Sequence, residues 1–454
     1  MIALTLSDIA NIVEGTQSGG EAQIQEVTTD TRAIQPGALF IALVGERFDA
    51  HNFCQQAADK GAAALIVERQ LDIDIPQVIV ADSKVALGLL GAEVHRRCGT
   101  KTLAITGSCG KTTVKEMVAS ILAGLGQVLY TAGNFNNDIG VPLTLLRSTP
   151  QDDFSVIELG ANHIGEIAYT TALVKPDIAM VNNVAEAHLE GFGSLDGVKT
   201  AKGEIYQGLA SNGTALINLD SQGESIWSEV LQDKNLITFS KQNTNANFYG
   251  SDIAMSSEGY PLFTLHTPIG NVELQLSLLG EHNVANAVAA SALAIQCGAT
   301  LEQIKVGLQS LSKVKRRVDV EKLTEHITLI DDSYNASVPA MKAAVDLLAQ
   351  FKQGQRWLIL GNMAELGHES LALHKEVGQH AAPFAFEHVL TYGEDAKVIS
   401  DLCGGMHFQS HDSMLEYIEH NLTQLNQTSH TLLVKGALSA GMYTIANALK
   451  ETYT

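Results

Sequence analysis

The chain has 454 residues, of which 45% are hydrophobic and 17% charged, a composition typical of a globular protein with about three domains. It carries 50 acidic and 29 basic residues, and a formal net charge of -21 disfavours general electrostatic attraction to nucleic acid. The sequence contains no uncharged apolar run of about 18 residues and does not start like a secretory signal. We therefore expect a cytoplasmic monomer that binds neither nucleic acid nor membrane.

The cysteines also indicate a reducing compartment. They are odd in number, widely spaced and never arranged as C-x-x-C, which argues against a disulfide framework and against a zinc site. They are Cys54, Cys98, Cys109, Cys297 and Cys403.

Residues 1–81 are predicted to form a small α/β domain. Three short apolar runs, "LFIAL", "AALIV" and "QVIV", are typical of strands, and residues 52–60 form the one stretch with helical character.

Residues 82–312 are predicted to form a central parallel-sheet domain. Five apolar runs alternate with helical segments, as in a sheet with crossover helices: "LAIT", "VLYT", "SVIEL", "DIAMVNN" and "TALIN". Between residues 246 and 279 the pattern changes to alternating strands with a turn at "PIGN", which indicates an antiparallel edge.

Residues 313–454 are predicted to form a third α/β domain. A basic run, Lys313 to Arg317, precedes it, and then strands and helices alternate through "ITLIDD", "RWLIL", "HVLTYG" and "HTLLVKG". The predicted fold is therefore an α/β protein of three domains.

The segment "TGSCGKTT", from Thr106 to Thr113, indicates a phosphate-binding loop. It is shorter than the usual signature, because two residues instead of four separate Gly107 from Gly110. After Lys111, apolar residues recur on one face of a helix that is predicted to end near residues 124–126. In a strand–loop–helix unit the loop amides and the helix N-terminus bind anions. The alternative, a tight turn of small residues, is disfavoured by the strand and helix on either side.

This loop needs a cation if it binds a triphosphate. Lys111 would neutralise the terminal phosphates, and the Thr112 hydroxyl would bind magnesium together with a carboxylate, for which Glu158 at a strand end is the candidate. Acidic residues at strand ends are often only solvated. His188 and Lys202 would not be chosen by spacing alone, because magnesium prefers oxygen ligands.

Seven segments in order resemble the Mur ligases, the ATP-dependent enzymes that extend the peptide of the bacterial cell-wall precursor. That family has a shortened T-G-[ST]-x-G-K-[ST] loop, which the chain matches from Thr106 to Thr112. The segments are "TTDTRAIQPGALFIALVGERFDAHNF", "GNFNNDIGVPLTLLR", "VIELGANHIGEI", "NNVAEAHLEGFGSL", "HNVANAVAA", "DDSYNAS" and "GNMAELG". They are most similar to the member that joins D-alanyl-D-alanine to UDP-N-acetylmuramoyl-tripeptide through an acyl phosphate.

The resemblance implies a central domain like a P-loop ATPase, a carboxy-terminal Rossmann-like domain, and an ATP site. Asn283 would contact adenine, Asp332 the ribose and Arg317 the γ-phosphate. The remaining ATP-binding residues implied are Gly107, Ser108, Cys109, Gly110, Lys111, Thr112 and Thr113.

The resemblance also implies two magnesium ions. Thr112 and Glu158 correspond to ligands of the first, and His188 and Lys202 to the site of the second. There the lysine would be carbamylated, which replaces a repelling ammonium with oxygens and negative charge. Lys111, His188, Lys202 and Arg317 are thus the implied catalytic residues.

The substrate contacts implied by the resemblance lie in two places. The amino-terminal domain would bind the uridine diphosphate end, and two asparagines would line the acceptor and dipeptide sites. They are Thr31, Arg32, Phe48, Asp49 and His51 in the first place, and Asn137 and Asn335 in the second.

Three positions depart from the family pattern. Arg316 stands where the family has glycine, "NASVPAM" differs from the more usual Asn-Ala-Asn-Pro, and "VKGALSAGMY" keeps Lys435 and Gly436 but loses an arginine and a glutamate. These departures affect the expected contacts of the carboxy-terminal domain.

The sequence disfavours two other functions. A relative with another amino donor, including a folylpolyglutamate synthetase, is disfavoured by "RFDAH", "GNFNND" and "DDSYNAS". A nucleotide switch is disfavoured because the guanine-reading motif Asn-Lys-x-Asp is missing from the sequence.

Overall fold

The computed structural model describes residues 1–45, 48–221, 223–256, 259–311, 316–425 and 427–453. Within them, three main sheets follow one another along the chain, one in each predicted domain, so the α/β class and the three-part organisation are confirmed. The predicted boundary at 312/313, residues 313–315 of the basic run and the first residue of "RFDAH" lie outside the described residues. Both domain boundaries stay predictions.

The amino-terminal unit is built on a five-stranded sheet. The strands of the whole unit, including four that lie outside this sheet, are β1 Leu4–Thr5, β2 Thr16–Ser18, β3 Gln23–Ile24, β4 Val27–Thr28, β5 Leu39–Ile41, β6 Val44–Gly45, β7 Phe48–Asp49, β8 Ala64–Val67 and β9 Gln77–Ile79. Its helices are α1 Leu6–Ile12, α2 Cys54–Asp59 and α3 Ser83–Cys98. The sheet order is β2-β9-β8-β5-β4, parallel except between β2 and β9, and two antiparallel pairs, β1–β3 and β6–β7, stand apart from it.

The prediction of a single helix in this unit is wrong. Helix α1 also forms there, because Thr5 and Asp8 make a reciprocal capping box at its start. Helix α3, which the predicted boundary assigns to the central domain, packs Leu87, Leu90 and Val94 into the amino-terminal core.

The central unit contains a nine-stranded sheet. Its strands are β10 Lys101–Thr106, β11 Val128–Tyr130, β12 Phe154–Glu158, β13 Ile178–Val181, β14 Thr214–Asn218, β15 Asn235–Ser240, β16 Phe248–Met255, β17 Pro261–Thr267 and β18 Gly270–Gln275. Its helices are α4 Lys111–Leu122, α5 Gly140–Leu145, α6 Glu166–Val174, α7 Leu189–Phe192, α8 Leu195–Gly203, α9 Glu224–Leu231, α10 His282–Gln296 and α11 Leu301–Gln309. The order is β11-β12-β10-β13-β14-β15-β16-β17-β18, and only the last two pairings are antiparallel, as predicted for residues 246–279.

The carboxy-terminal unit contains a six-stranded sheet. Its strands are β19 Asp319–Lys322, β20 Ile327–Asp332, β21 Gln355–Gly361, β22 His388–Tyr392, β23 Met406–Phe408 and β24 His430–Lys435. Its helices are α12 Val338–Leu348, α13 Ser370–Ala381, α14 Lys397–Cys403, α15 His411–Gln424 and α16 Tyr443–Tyr453. The order is β19-β20-β24-β21-β22-β23, and only β19 pairs antiparallel.

Successive apolar side chains along a strand point to opposite faces of the sheet, which explains why helices cover both faces of these sheets. In β21, Leu358 and Leu360 pack with α12 and α13, whereas Trp357 and Ile359 pack with α15 and α16. The central strands β10 and β13 alternate in the same way between two cores. Strands buried on both sides are expected where a parallel sheet lies between helix layers.

Short 3₁₀ turns complete the fold. They span Ala50–Phe53, Glu204–Gly208, Gly367–Glu369, Ala382–Phe384 and Leu438–Ala440.

Candidate active site

The phosphate loop connects β10 to α4, as the sequence predicted. Gly107 and Gly110 have φ angles of 150° and 75°, which glycine adopts without strain. The loop is braced by the end of β13, because Ser108 N donates to Asn183 O at 3.0 Å and Cys109 N donates to Asn183 Oδ1 at 2.8 Å. The start of α4 therefore lies at the carboxyl end of the parallel strands, where α/β sheets bind ligands.

Lys111 is the first residue of α4, and its ammonium turns back over the loop. Its Nζ donates to Gly107 O at 2.6 Å. Burial lowers the pKa of Lys111, and the positive charge of Arg317 lowers it further, although Glu158 acts in the opposite direction. The cations Lys111 and Arg317 thus repel each other across the site, so a bound polyanion would relieve that repulsion.

The Thr112 hydroxyl and Glu158 meet below the loop. Thr112 Oγ1 donates to Glu158 Oε2 at 2.9 Å, and Asn136 Nδ2 donates to Oε1 at 2.8 Å. Glu158 is 1% exposed, and both of these hydrogen-bond donors are neutral. A buried carboxylate beside a hydroxyl is a donor set that suits a hard divalent cation.

The residues predicted for a second metal are also close to this loop. Lys202 is 1% exposed; its Nζ lies 3.4 Å from Ala161 O and 5.0 Å from the centre of the Phe192 ring. Burial, with a contribution from the charge of Lys111, lowers the pKa of Lys202 to about 7. His188 Nδ1 contacts Glu365 Oε2, and burial lowers the pKa of His188, with Lys111 adding to the effect.

No group of three or more His, Cys, Asp and Glu side chains converges as a metal site within the part of the chain that the structure describes. A cation at Thr112 and Glu158 would therefore need further oxygens from a bound ligand. That is the usual situation of magnesium in phosphate-transfer sites.

A cavity of about 850 Å³ opens between the central and carboxy-terminal units. This volume suits a nucleotide-sized ligand. The carboxyl ends of both sheets face it, since residues 108–113 line it from one side and Asp332 and Lys435 from the other. Of the predicted ATP residues, Ser108, Cys109, Gly110, Lys111, Thr112, Thr113, Asn283, Arg317 and Asp332 line it.

The predicted adenine end of the cavity is formed by the start of α10. Asn283 Nδ2 donates to Leu279 O at 2.8 Å, and its Oδ1 accepts from Asn286 Nδ2 at 2.9 Å. These bonds fix the orientation of the Asn283 amide, which keeps a second donor hydrogen and a second lone pair for a ligand.

The carboxy-terminal wall of the cavity is held together by Lys435. Its Nζ donates to Asp332 Oδ2 at 2.5 Å and to Asn335 O at 3.0 Å. Arg317 stacks over the Tyr334 ring at 4.2 Å. Arg316, where the family pattern has glycine, has a φ of 60°, a conformation that glycine adopts without strain.

The predicted contacts for the uridine diphosphate end lie elsewhere. None of Thr31, Arg32, Phe48, Asp49 and His51 lines this cavity. Arg32 pairs with Asp30 on the surface, whereas His51 is buried, with Nδ1 2.5 Å from Asp49 Oδ1 and Nε2 accepting from Glu68 N at 2.8 Å. His51 therefore organises the loop around Asp49.

Of the two asparagines predicted for the acceptor and dipeptide, Asn137 does not line the cavity. Asn137 caps the turn at the start of α5, where its Oδ1 accepts from Gly140 N at 2.8 Å. Its neighbour Asn136 donates to Glu158. Asn335 lines the cavity.

Sequence reasoning did not choose four residues that the structure brings to the site: Asn136, Asn183, Tyr334 and Glu365. Each belongs to one of the quoted segments, namely "GNFNND", "NNVAEAH", "DDSYNAS" and "GNMAELG". The family-like segments therefore include all four residues. Nothing in their spacing, however, marks these four as more important than the residues next to them.

Comparison with known proteins agrees with this geometry. Family models match residues 23–95 (Mur ligase family, catalytic domain), 105–294 (Mur ligase middle domain) and 316–438 (Mur ligase, glutamate ligase domain). A curated relative from Escherichia coli K12, UDP-N-acetylmuramoyl-tripeptide--D-alanyl-D-alanine ligase, is 49% identical over 100% of both chains. The chain belongs to the Mur ligase family.

Solved structures of other Mur ligases have the same fold. A crystal structure of MurF from Acinetobacter baumannii is 34% identical over 99% of both chains, with a TM-score of 0.94. MurF from Thermotoga maritima, solved with ADP, is 25% identical over 94% of this chain and 97% of its own, with a TM-score of 0.83.

Among the described residues, no helix of this Mur ligase has the length and apolar character needed to cross a bilayer.

Proposed function

We propose that this chain is the ATP-dependent ligase that joins D-alanyl-D-alanine to UDP-N-acetylmuramoyl-tripeptide. The products are the UDP-linked pentapeptide, ADP and phosphate, in the synthesis of peptidoglycan precursor. The observation that carries the proposal is 49% identity over the whole of both chains to a curated enzyme of that name. The phosphate loop facing Arg317 and Asp332 across one cavity supports it.

The reaction must activate a carboxylate, because oxide is too poor a leaving group for direct attack by an amine. The tripeptide carboxylate attacks the γ-phosphate of ATP and forms an acyl phosphate and ADP. The free amine of D-alanyl-D-alanine then attacks the acyl carbon, the nitrogen loses one proton, and phosphate leaves as the amide forms. Lys111 and Arg317 stabilise the negative charge of the transferred phosphoryl group, in fixed positions that need no reorganisation.

We propose that Thr112 and Glu158 hold a magnesium ion and that His188 and Lys202 hold a second. Bound magnesium would supply charge stabilisation for phosphoryl oxygens. Glu158 provides a buried carboxylate, and its hydrogen bonds from Thr112 and Asn136 fix its direction.

We further propose that Lys202 is carbamylated. A neutral amine adds to carbon dioxide and releases one proton, which leaves a carbamate with two oxygens on the chain. Nearly complete burial of the Lys202 amine favours its neutral form, and the single carbonyl contact at 3.4 Å holds it weakly.

A chemical rescue experiment tests the carbamate. Lys202→Ala should lose nearly all ligase activity and regain part of it with acetate, because a small carboxylate replaces the lost oxygens. Lys199→Ala is the control, because Lys199 lies on the same helix and pairs with Asp196. This variant should keep its ligase activity without acetate. Failure of acetate at all concentrations would contradict the carbamate.

The function itself is tested by substrate dependence. Release of ADP and phosphate should require both UDP-N-acetylmuramoyl-tripeptide and D-alanyl-D-alanine, and mass spectrometry should find the pentapeptide. Release that instead requires glutamate with a folate, or another amino donor, would replace this function with that of a relative.

We also propose that the enzyme works as a cytoplasmic monomer. All five cysteines lie within the described residues as free thiols, which suits a reducing compartment. Sedimentation of a single species at the mass of one chain, at micromolar concentration, is the expected result.

A further inference from the structure

Two non-glycine residues with left-handed backbone conformation meet between the central and carboxy-terminal units. His188 has a φ of 56° and Glu365 a φ of 59°. Each such residue costs about 1 kcal/mol or more, and strained residues of this kind cluster at functional sites. Two such residues in contact therefore indicate a functional role and not merely a connection between elements.

The two segments that carry these residues are in contact through side chains and through the backbone. His188 Nδ1 contacts Glu365 Oε2, and Glu190 N donates to Glu365 O at 3.1 Å. Leu189 packs against apolar clusters of both units. The start of α7 and the loop after β21 thus form a docking point between the two units.

This contact determines which nitrogen of His188 is available. The carboxylate can only accept, so a neutral imidazole must carry its hydrogen on Nδ1. Within the described ranges Nε2 has no hydrogen-bond partner, and the residue lines the cavity. The Phe192 ring lies edge-on to His188, with centroids 6.2 Å apart, and the same ring lies under the Lys202 amine.

We propose that Glu365 is a positioning residue that the carboxy-terminal unit supplies to the metal site of the central unit. Its carboxylate holds His188 in the Nδ1–H tautomer and directs the Nε2 lone pair to the site, and it does so only while the two units are docked. The role toward a metal rests on the proposed function, whereas the tautomer does not. Carboxylate-to-histidine contacts of this kind orient the ring and raise its basicity.

The exposure of Glu365 makes the proposal testable by substitution. Its side chain is 44% exposed, so its loss leaves no buried charge without a partner, and the variants should fold. Glu365→Gln keeps an acceptor oxygen at the same reach, whereas Glu365→Ala removes it. Glu369→Ala is the matched control, because Glu369 lies on the same loop, is half exposed and pairs with its neighbour His368.

The first experiment needs no ligand and no activity. In enzyme labelled with ¹⁵N-histidine, the His188 resonances are assigned by their loss in His188→Gln. We expect hydrogen on Nδ1 in the wild type, in Glu365→Gln and in Glu369→Ala, and a change toward the Nε2–H form in Glu365→Ala. An Nε2–H form in the wild type, or an unchanged pattern in Glu365→Ala, overturns the proposal.

The second experiment measures the magnesium concentration that gives half-maximal ligase rate. It should rise about tenfold or more in Glu365→Ala, less in Glu365→Gln and not in Glu369→Ala. An unchanged magnesium requirement in Glu365→Ala overturns the metal role. If no variant and no wild-type enzyme shows ligase activity, the proposed function fails, and the tautomer measurement still decides the assignment of Glu365.

Discussion

At the scale of single residues, Lys111 gives the most direct test of the phosphate loop. Lys111→Ala should lower kcat by about a hundredfold or more, because removal of one fixed charge partner costs about 3 kcal/mol in the transition state. Steady-state phosphate release with both substrates measures this. Lys101→Ala, at the exposed start of the same β10, is the control and should stay near wild type. Near-normal turnover by Lys111→Ala would remove the lysine from the mechanism.

A second residue, His95, should make stability depend on pH. It is 5% exposed, with ring nitrogens 2.7 Å from Ser148 Oγ and 2.8 Å from Thr102 Oγ1. Burial lowers the pKa of His95 from 6.5 to about 4. Between these values the unfolded chain binds more protons, so the stability contribution is complete above pH 6.5 and is lost as pH falls toward 4.

The His95 effect amounts to about 2 kcal/mol of lost stability on going from pH 7.5 to pH 5. Denaturant unfolding at the two pH values should therefore show a smaller acid loss in His95→Gln than in the wild type. His163→Gln, on an exposed side chain, serves as the control and should keep the wild-type loss. Equal acid losses in His95→Gln and the wild type would refute the assignment.

How far the site could be predicted also differs from residue to residue. Lys111 and Thr112 were candidates from the sequence because the loop, its strand and its helix are local in sequence. Glu365 was not, because it lies 177 positions from His188 and the two meet only through the docking of two units. For His51 the motif predicts a ligand contact, and the structure shows that both ring nitrogens already have partners, Asp49 Oδ1 and Glu68 N, so its predicted role stays a prediction.

At the scale of elements, the apolar strands that carry the site were predictable from the sequence. Strands with polar or exposed residues were less predictable. Runs such as "LAIT" and "HTLLVKG" are strands buried on both faces, and their continuous apolar character is a strong pattern. Strand β15 was missed because Asn235 and Leu236 are exposed at its start, and β19 because its residues are polar and half buried. Those strands form through pairing with neighbours, which single-sequence patterns do not contain.

The crossing of α4 and α11 gives a test at this scale. Gly307 lies against α4 so closely that a Cβ would come 2.6 Å from Ile121 Cα and 2.9 Å from Ile121 N. Because backbone atoms cannot move aside, Gly307→Ala should push the helices apart and lower the free energy of unfolding by about 1–3 kcal/mol. Its gain in helix propensity, up to about 1 kcal/mol, offsets part of this.

Denaturant unfolding of the glycine variants measures that effect. Gly124→Ala is the control, because a Cβ there would meet Ile121 O at 3.4 Å, an ordinary contact. It should change stability by less than about 0.5 kcal/mol. A Gly307→Ala variant as stable as the wild type would show that the helices separate without cost.

At the scale of the whole molecule, sequence patterns predict three units, and only the family resemblance implies that ATP is contacted from both the second and the third, through Lys111 on one side and Arg317 and Asp332 on the other. That arrangement depends on how the carboxyl ends of two separate sheets face each other. The amino-terminal candidates for the uridine diphosphate end do not line this cavity. The two ligands should therefore bind to separable regions of the chain.

Hydrogen exchange of the full chain tests this division. A non-hydrolysable ATP analogue with magnesium should slow amide exchange in both residues 107–113 and residues 331–337, because ligand contacts stabilise both walls of one cavity. UDP-N-acetylmuramoyl-tripeptide should slow amide exchange in residues 28–32 and 48–53. The ATP analogue should leave the exchange rates of these residues unchanged. In Arg317→Ala the analogue should protect residues 331–337 less than in the wild type. Protection by the analogue confined to one wall would mean that the nucleotide is held by a single unit, and the shared cavity would not be its site.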